Sequence, residues 1–386
     1  MKIIAFTAQS FGFGPVRKMI AIAEKLNGVY KIFFGSGVTY DFAKAHIFDE
    51  YHYLENNENA DISSILNKSD VFINVMDFEL GNIAKKSNCK CIVVDSLLWF
   101  YPFRPDIDYA DYYFVQDFFR SSSLKIKEHG ISNAYIIGPI VEENDFNSQK
   151  IEQCIINFGG SDGKICNSHV TVGKNTNYPF IMLHVLLPLL SSYFKHVLVV
   201  GRESIISACS KRFSIENVSF AMLNLKEMCY ELSQSQVVFS VPGIHSFLDA
   251  ANKLPIFFLP PSNHSHQENL DIFIKHAVTS SYFSWTECYG LRFKDAMPRQ
   301  QKISIILKAI ERFDCDSFVQ KQLQKSASKF LENKDLWPEI IRQQQRKLKS
   351  LGKSGLETII STIETLLSSN HNNVNIHNDG IAVYNN

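Results

Sequence analysis

The chain has 386 residues, 45% of them apolar and 20% charged, enough for two domains with separate cores rather than one small domain. Lys plus Arg equals Asp plus Glu at 39 each, so no net positive field exists to hold nucleic acid or anionic lipid. A neutral protein acting on small molecules, with no nucleic-acid partner, fits this balance.

Met1–Phe6 gives way quickly to Gln9, Ser10 and glycines, too short a run for a signal peptide. No apolar run approaches the roughly 20 residues of a membrane span, so no integral membrane segment is expected and the expected location is cytoplasmic. β-Branched or aromatic runs, each followed by a helical stretch, recur at Lys2–Thr7, Tyr30–Phe34, Val71–Val75, Cys91–Asp95 and Ala134–Ile137. This alternation predicts a parallel sheet covered on both faces, in an N-terminal Rossmann-like domain over residues 1–141. Polar Glu142–Lys150 then reads as a linker.

The alternation restarts with strands at Cys154–Phe158, Val197–Gly201, Val218–Ala221, Val237–Val241 and Ile256–Leu259, separated by helices at Tyr178–Phe194, Leu225–Ser233 and Ser246–Lys253. Arg299–Leu367 is helical in pattern, so the second domain with its helical extension is drawn over 151–369. Residues 370–386, rich in Asn and His and without an apolar face, read as a mobile tail. The fold class is α/β, two doubly wound sheets in series. The 8 cysteines show no C-x-x-C spacing and the 12 histidines no H-E-x-x-H, so the thiols read as reduced core residues and no metal site is predicted.

In open α/β sheets ligands gather at the carboxyl ends of the strands, where loops and helix N-termini present free N–H groups. Cys154–Phe158 runs into Gly159, Gly160, Ser161, Asp162 and Gly163, a loop whose glycines let amides close on a phosphate; the alternative is a plain turn. Val237–Val241 leads into Pro242, Gly243, Ile244, His245 and Ser246, where a glycine opens a helix and its amides would meet a diphosphate. Asp249 either accepts hydrogen bonds from ribose hydroxyls or, with Ser246 as N-cap, is an ordinary first-turn acid. After Ile256–Leu259, the polar Gln267, Glu268 and Asn269 at the start of a helix are placed to bind sugar hydroxyls.

The order of these three features resembles the nucleotide-sugar glycosyltransferases of the GT-B fold, in particular the lipid II N-acetylglucosaminyltransferase branch and a relative, the sugar-nucleotide hydrolase of the pseudaminic acid pathway. The shared elements are the G-G-S-D loop at Gly159–Gly163, the glycine-headed helix with an acid six positions on at Gly243 and Asp249, and the segment Pro260–Gln267. The resemblance is strongest over Ile151–His276. It implies a nucleoside diphosphate-sugar co-substrate in the C-terminal domain, a small-molecule acceptor in the N-terminal domain, catalysis in a cleft between them, and no other cofactor. A homodimer stays open. Two departures bear on the grip on ribose: Asp249 stands where glutamate is usual, and Gly243 to Pro255 is one residue short.

The first strand runs through Ser10–Gly14 and Pro15 to Arg17, where the resembling families read G-x-G-H-x-x-(P/R), with the histidine often a base or phosphate contact. Pro15 fills that place and cannot take a proton, though it suits a helix start. Gly14 and Arg17 remain; Arg17 either approaches the donor phosphates or lies on the helix surface. The base is therefore sought among acids at strand ends, first Asp95, ahead of the aromatic Trp99–Phe103, and second Asp77, each alternatively an N-cap. The expected chemistry is an inverting, metal-independent glycosyl transfer, with hydrolysis or epimerisation of the sugar nucleotide and non-catalytic nucleotide binding as alternatives.

Overall fold

The computed structural model describes residues 1–10, 13–44, 47–54, 59–100, 107–141, 149–160, 177–293 and 297–368. The chain divides into two compact units, one of residues 1–143 and 350–386, the other of residues 144–349.

The first unit comprises β1 (Ile3–Ala8), α1 (Gly14–Lys25), β2 (Tyr30–Gly35), α2 (Gly37–Ala43), β3 (Glu50–Tyr53), α3 (Asn59–Lys68), β4 (Val71–Val75), α4 (Gly81–Ala84), β5 (Lys90–Asp95), β6 (Tyr112–Gln116), α5 (Ser121–His129) and β7 (Ala134–Ile137). Its seven strands lie in the order β3-β2-β1-β4-β5-β6-β7, every pair parallel. β1, β4 and β5 are almost entirely buried because both faces carry side chains into a core: Phe6, Ile73 and Val94 pack under α1, while Ala5, Phe72 and Val93 pack under α3 and α4.

The second unit comprises β8 (Gln153–Asn157), α6 (Tyr178–Tyr193), β9 (His196–Val200), α7 (Glu203–Arg212), β10 (Val218–Ala221), α8 (Leu225–Gln234), β11 (Val237–Ser240), α9 (Ile244–Ala250), β12 (Ile256–Phe258), α10 (His264–Lys275), α11 (Trp285–Tyr289), α12 (Arg299–Cys315), α13 (Ser317–Glu332) and α14 (Trp337–Lys349). The sheet order is β10-β9-β8-β11-β12, again all parallel. Its core joins Phe239 and Phe257 to Phe330 of α13, and Trp285 to Phe313 of α12.

The last described helix, α15 (Gly355–Ser368), corrects the domain boundary drawn at 369. Leu356, Ile359 and Ile363 are buried in the same cluster as Phe6, Met19 and Ile20, so residues 350–368 belong with the first unit. An amphipathic helix goes where its apolar stripe finds a partner, whatever precedes it in the chain. Two strands also escape the sequence pattern. β3 is short, lies at the sheet edge and carries Glu50 and His52; β6 follows β5 with no helix among the described residues between them to mark the alternation. Residues 142–148 of the expected linker, and the whole of the expected tail, lie outside the described residues.

Candidate functional site

Each sheet has one point where successive crossovers leave in opposite directions, and there the carboxyl-end loops open a crevice. In the second unit this point lies between β8 and β11. β8 continues through Phe158 into Gly159, whose φ of +68° is left-handed and suits glycine. β11 continues through Val241 and Pro242 into Gly243, the N-cap of α9. The helix therefore starts at Ile244, two residues earlier than the expected start at Ser246, and Ser246 sits in its first turn instead of capping it. Glycine caps with no side-chain acceptor, and the first amide in α9 to find a helical carbonyl is Phe247, bonded to Gly243 O at 3.1 Å. The amides of Ile244, His245 and Ser246 precede that bond, which is the arrangement that attracts an anion. Asn157, the last residue of β8, ties the two loops: its Oδ1 accepts from Gly159 N at 2.9 Å and its Nδ2 donates to Ser246 Oγ at 3.3 Å. Asp249 is half-buried farther along α9, and Gly160 ends the described part of its loop. Ser161 and Asp162 lie outside the described residues.

The loop after β12 is held from several sides. Trp285 Nε1 donates to Pro261 O at 2.7 Å, and Asn263 caps α10 by accepting from His266 N at 2.9 Å. The three polar residues expected to face a sugar are drawn into this framework. Asn269 donates to Pro242 O at 2.8 Å, anchoring the loop that leads to Gly243; Glu268 pairs with Lys302 of α12 at 2.8 Å; Gln267, almost fully buried, donates to Asp271 Oδ1 at 2.9 Å. The carbonyl oxygens Gln267 Oε1 and Asn269 Oδ1 are buried with no hydrogen-bond donor among the described residues.

Two histidines open α10. Burial, with Arg299, Lys302 and His266 nearby, pushes His264 down to about 3, and burial pushes His266 down to about 4. Both are neutral at pH 7, whereas an unfolded histidine titrates near 6.5. Folded values below the unfolded one mean stability that is complete above pH 6.5 and lost as pH falls, by about 1.4 kcal/mol per pH unit for each ring. Denaturation of the second unit, followed by Trp285 and Trp337 fluorescence, is expected to shift to lower denaturant between pH 7 and 5. The slope should flatten in His264→Gln; an unchanged slope would place the titration elsewhere.

In the first unit the corresponding point lies between β1 and β4. β1 leads into Gln9 and Ser10, and α1 begins at Gly14 with Pro15 in its first turn and Arg17 half-buried. β4 is followed by Met76, a non-glycine residue at φ +64°, a conformation that costs about 1–3 kcal/mol and gathers at functional sites. Next to it the fully buried Asn74 spends its whole side chain on one residue: Oδ1 accepts from Asp77 N at 2.9 Å and Nδ2 donates to Asp77 O at 2.8 Å. Asp77, half-buried as a residue, is thus held by its backbone while its carboxyl is pushed up to about 6 by burial and by Glu79, against the Glu79 amide.

Asp95, at the end of β5, is built differently. It is 2% exposed, with Oδ1 accepting from Leu97 N and Oδ2 from Tyr113 Oη, each at 2.8 Å. Burial pushes its carboxyl up, opposed by those two donors and by Lys125 and Lys18. This is a strand-end brace. Asp95→Ala strands a buried amide and a buried phenol and should cost about 2–4 kcal/mol, whereas Asp95→Asn keeps an acceptor for Leu97 and should cost far less. Equal losses in urea denaturation would contradict the bracing role.

Solved structures place these two sheets among known architectures. UGT89C1 of Arabidopsis thaliana complexed with UDP matches with a TM-score of 0.55 at 10% identity, over 94% of this chain and 100% of that one. The same protein complexed with quercetin matches at 0.53 and 9% identity, over 94% and 99%. Os79 from O. sativa in complex with U2F and trichothecene matches at 0.52 and 10% identity, over 94% and 99%. The chain has the GT-B fold. No protein-family model matches the sequence, and no curated protein does.

Within the GT-B frame, the glycines and helix start found by sequence converge on one switch point, Gly14, Arg17 and Asp77 belong to the other, and Asp95 stands one strand away from it. Asn157 and Asn74 escaped the sequence reading. An asparagine in the last two residues of a buried strand, two residues ahead of a glycine pair or three ahead of an acid, is the signal that marks them. No group of three or more His, Cys, Asp or Glu side chains able to hold a metal occurs among the described residues, and no described helix is long and apolar enough to cross a membrane.

Proposed function

We propose that the chain transfers a sugar from a nucleoside diphosphate donor to a hydroxyl of a small-molecule acceptor, in one displacement with inversion. The observation that carries this reading is the meeting, at one switch point, of two glycine loops tied by a single side chain, Asn157. Amides after Gly159 and at the start of α9 point to a diphosphate, the group that leaves with the bonding electron pair when the anomeric carbon is attacked. Asp249 then accepts from the ribose hydroxyls. The complexes of UGT89C1 with UDP and with quercetin, proteins of this fold with 9–10% identity to the chain, favour a nucleotide and a small organic molecule as ligands.

Asp77 takes the acceptor proton as the new bond forms. A carboxyl near 6 is largely ionised at pH 7 yet basic enough to accept. Asp95, sealed and doubly hydrogen-bonded, is left to hold the strand end. Pro15 removes histidine from the role, so an acid has to fill it. The test is incubation with a panel of nucleotide sugars and phenolic or aliphatic alcohols, following nucleoside diphosphate release and glycoside formation. Glycoside formation supports transfer; sugar release without an acceptor would replace transfer by hydrolysis, and binding without turnover by a carrier role.

A further inference from the structure

We infer that Asn74 is a positioning residue, a buried amide near the end of β4 that fixes where the Asp77 carboxyl stands by holding the main chain of residue 77. The inference rests on Asp77 as the base proposed above and adds the residue that places it. Asn74 is fully buried, and both of its bonds go to one residue: Oδ1 accepts from Asp77 N at 2.9 Å and Nδ2 donates to Asp77 O at 2.8 Å. A backbone N–H only donates and a backbone carbonyl only accepts, so the two bonds demand the same orientation of the amide. They also restrict the residue type. An ionised aspartate has the length but no donor, leucine has the shape and neither group, and serine or threonine carries one hydroxyl on a shorter stem.

The turn that brings residue 77 to this amide is strained at Met76, whose φ of +64° is one that glycine adopts freely and methionine does not. Such a conformation persists where its surroundings over-determine it. Met76 is held from two further sides: its N–H donates to Val94 O at 3.1 Å, and its sulfur accepts from Ser96 Oγ at 3.3 Å. Together with Asn74 these contacts lock the chain over residues 74–77, ahead of the short 3-10 turn Phe78–Leu80. The contrast with Asp95 shows what this achieves. There the carboxyl is itself the holding group, bonded to Leu97 N and Tyr113 Oη, and protonation would weaken its own anchor. The bonds from Asn74 reach the main chain of Asp77 instead, so they survive when the carboxyl gains or loses its proton. A general base passes through both states in every turnover.

The experiment measures kcat and nucleotide affinity for Asn74→Ala in the full-length protein, together with the titration of Asp77, followed by the carboxyl carbon signal of labelled aspartate and assigned by its loss in Asp77→Asn. Asn217→Ala is the control: it removes a side-chain amide that donates to Ser191 O and Phe194 O, each at 2.8 Å, in the second unit. Thermal denaturation checks each variant for folding, and rates are read below the transition. Asn74→Ala is expected to lower kcat about thirty- to hundredfold, the size of a misplaced reacting group, with nucleotide affinity unchanged. Asp77 should titrate below its parent value of about 6, towards 3.8, because burial, the main cause of the rise, is relieved once residue 77 is no longer held. The acid limb of the pH–rate profile should follow it down. A merely structural amide would lower the denaturation midpoint, as Asn217→Ala should, and leave kcat and the titration alone. Parental kcat and an unmoved titration in a folded Asn74→Ala protein overturn the inference, as does an equal loss of kcat in Asn217→Ala. Should Asn74→Ala not fold, Asn74→Thr, which meets one of the two backbone groups at most, is read in the same way. Were the parent to transfer no sugar, the base role of Asp77 would fall and the titration alone would decide the placement: a lower value supports it and constancy overturns it.

Discussion

Asp77→Asn is expected to cut glycosyl transfer by about two to four decades while leaving nucleotide affinity nearly unchanged, the usual size of a lost general base. The same variant should be more stable than the parent at pH 7. The Asp77 carboxyl is raised from 3.8 to about 6 in the folded protein, so the folded state holds its proton more tightly than the unfolded chain does. Ionisation then costs stability: nothing below about pH 4, progressively more between 4 and 6, and a roughly constant amount above, on the order of 2–3 kcal/mol. Asparagine has nearly the same shape and cannot ionise. Asn74 grips the backbone of residue 77 and not its carboxyl, so its bonds survive the change. A variant slower by decades yet more stable at pH 7, with the gain vanishing at pH 4, is the signature of a group kept for chemistry at a cost to the fold. Stability is read from urea midpoints at pH 4 and 7. Full activity in Asp77→Asn, with Asp95→Asn slowed instead, would return the base to Asp95.

Much of this site was legible because its signals are local. A glycine after a buried β-branched strand, then a helical period, places Gly159 and Gly243 at carboxyl ends without any knowledge of strand order. Strand order is what sequence lacks. That β8 and β11 are neighbours, and that Asn157 therefore spans two loops 89 residues apart in the chain, follows only from the parallel pairing of Cys154 with Val237 through Asn157 with Ser240. Choosing between Asp77 and Asp95 met the same obstacle. Both end buried strands ahead of turn residues, and what separates them is a partner brought in from elsewhere: Tyr113 from β6 holds the Asp95 carboxyl, and among the described residues no side chain hydrogen-bonds the Asp77 carboxyl in that way. The pairing of Glu268 was out of reach of the sequence for the same reason: its partner, Lys302, lies 34 residues away on another helix. The assignment of α15 failed for a related reason: chain continuity put it with its sequence neighbours, and packing put it elsewhere.

Gly138→Ala is expected to release α15 from the first unit. Gly138 follows β7, and a Cβ built there would lie 2.0 Å from Lys353 O and 3.1 Å from Leu351 O; at Gly355 the added atom would lie 2.4 Å from Gly138 O. These obstacles are backbone atoms and cannot rotate away. The two segments lie main chain against main chain, sealed by Gly355 N donating to Pro139 O at 2.9 Å. Restoring van der Waals distance means moving residues 351–355, and with them the start of a helix that buries Leu356, Ile359 and Ile363. Each such side chain is worth about 1.5–3 kcal/mol buried, so losing the helix costs about 5–9 kcal/mol, comparable with the stability of a whole domain. Partial relaxation will leave less, and we expect a loss above about 3 kcal/mol. By contrast, Gly130→Ala, at φ +61° with open space around it, should cost only about 1 kcal/mol. Hydrogen exchange is the measurement: amides of α15 should lose protection in Gly138→Ala, those of α1 should follow because Met19 and Ile20 share its core, and those of the second unit should not change. Loosening α1 unsettles Gly14 and Arg17 at its head, so the variant should also slow transfer without touching any residue at the β1–β4 switch point. Wild-type protection across α15 in a folded Gly138→Ala protein would show that the backbone contact yields and that α15 is held by its apolar stripe alone.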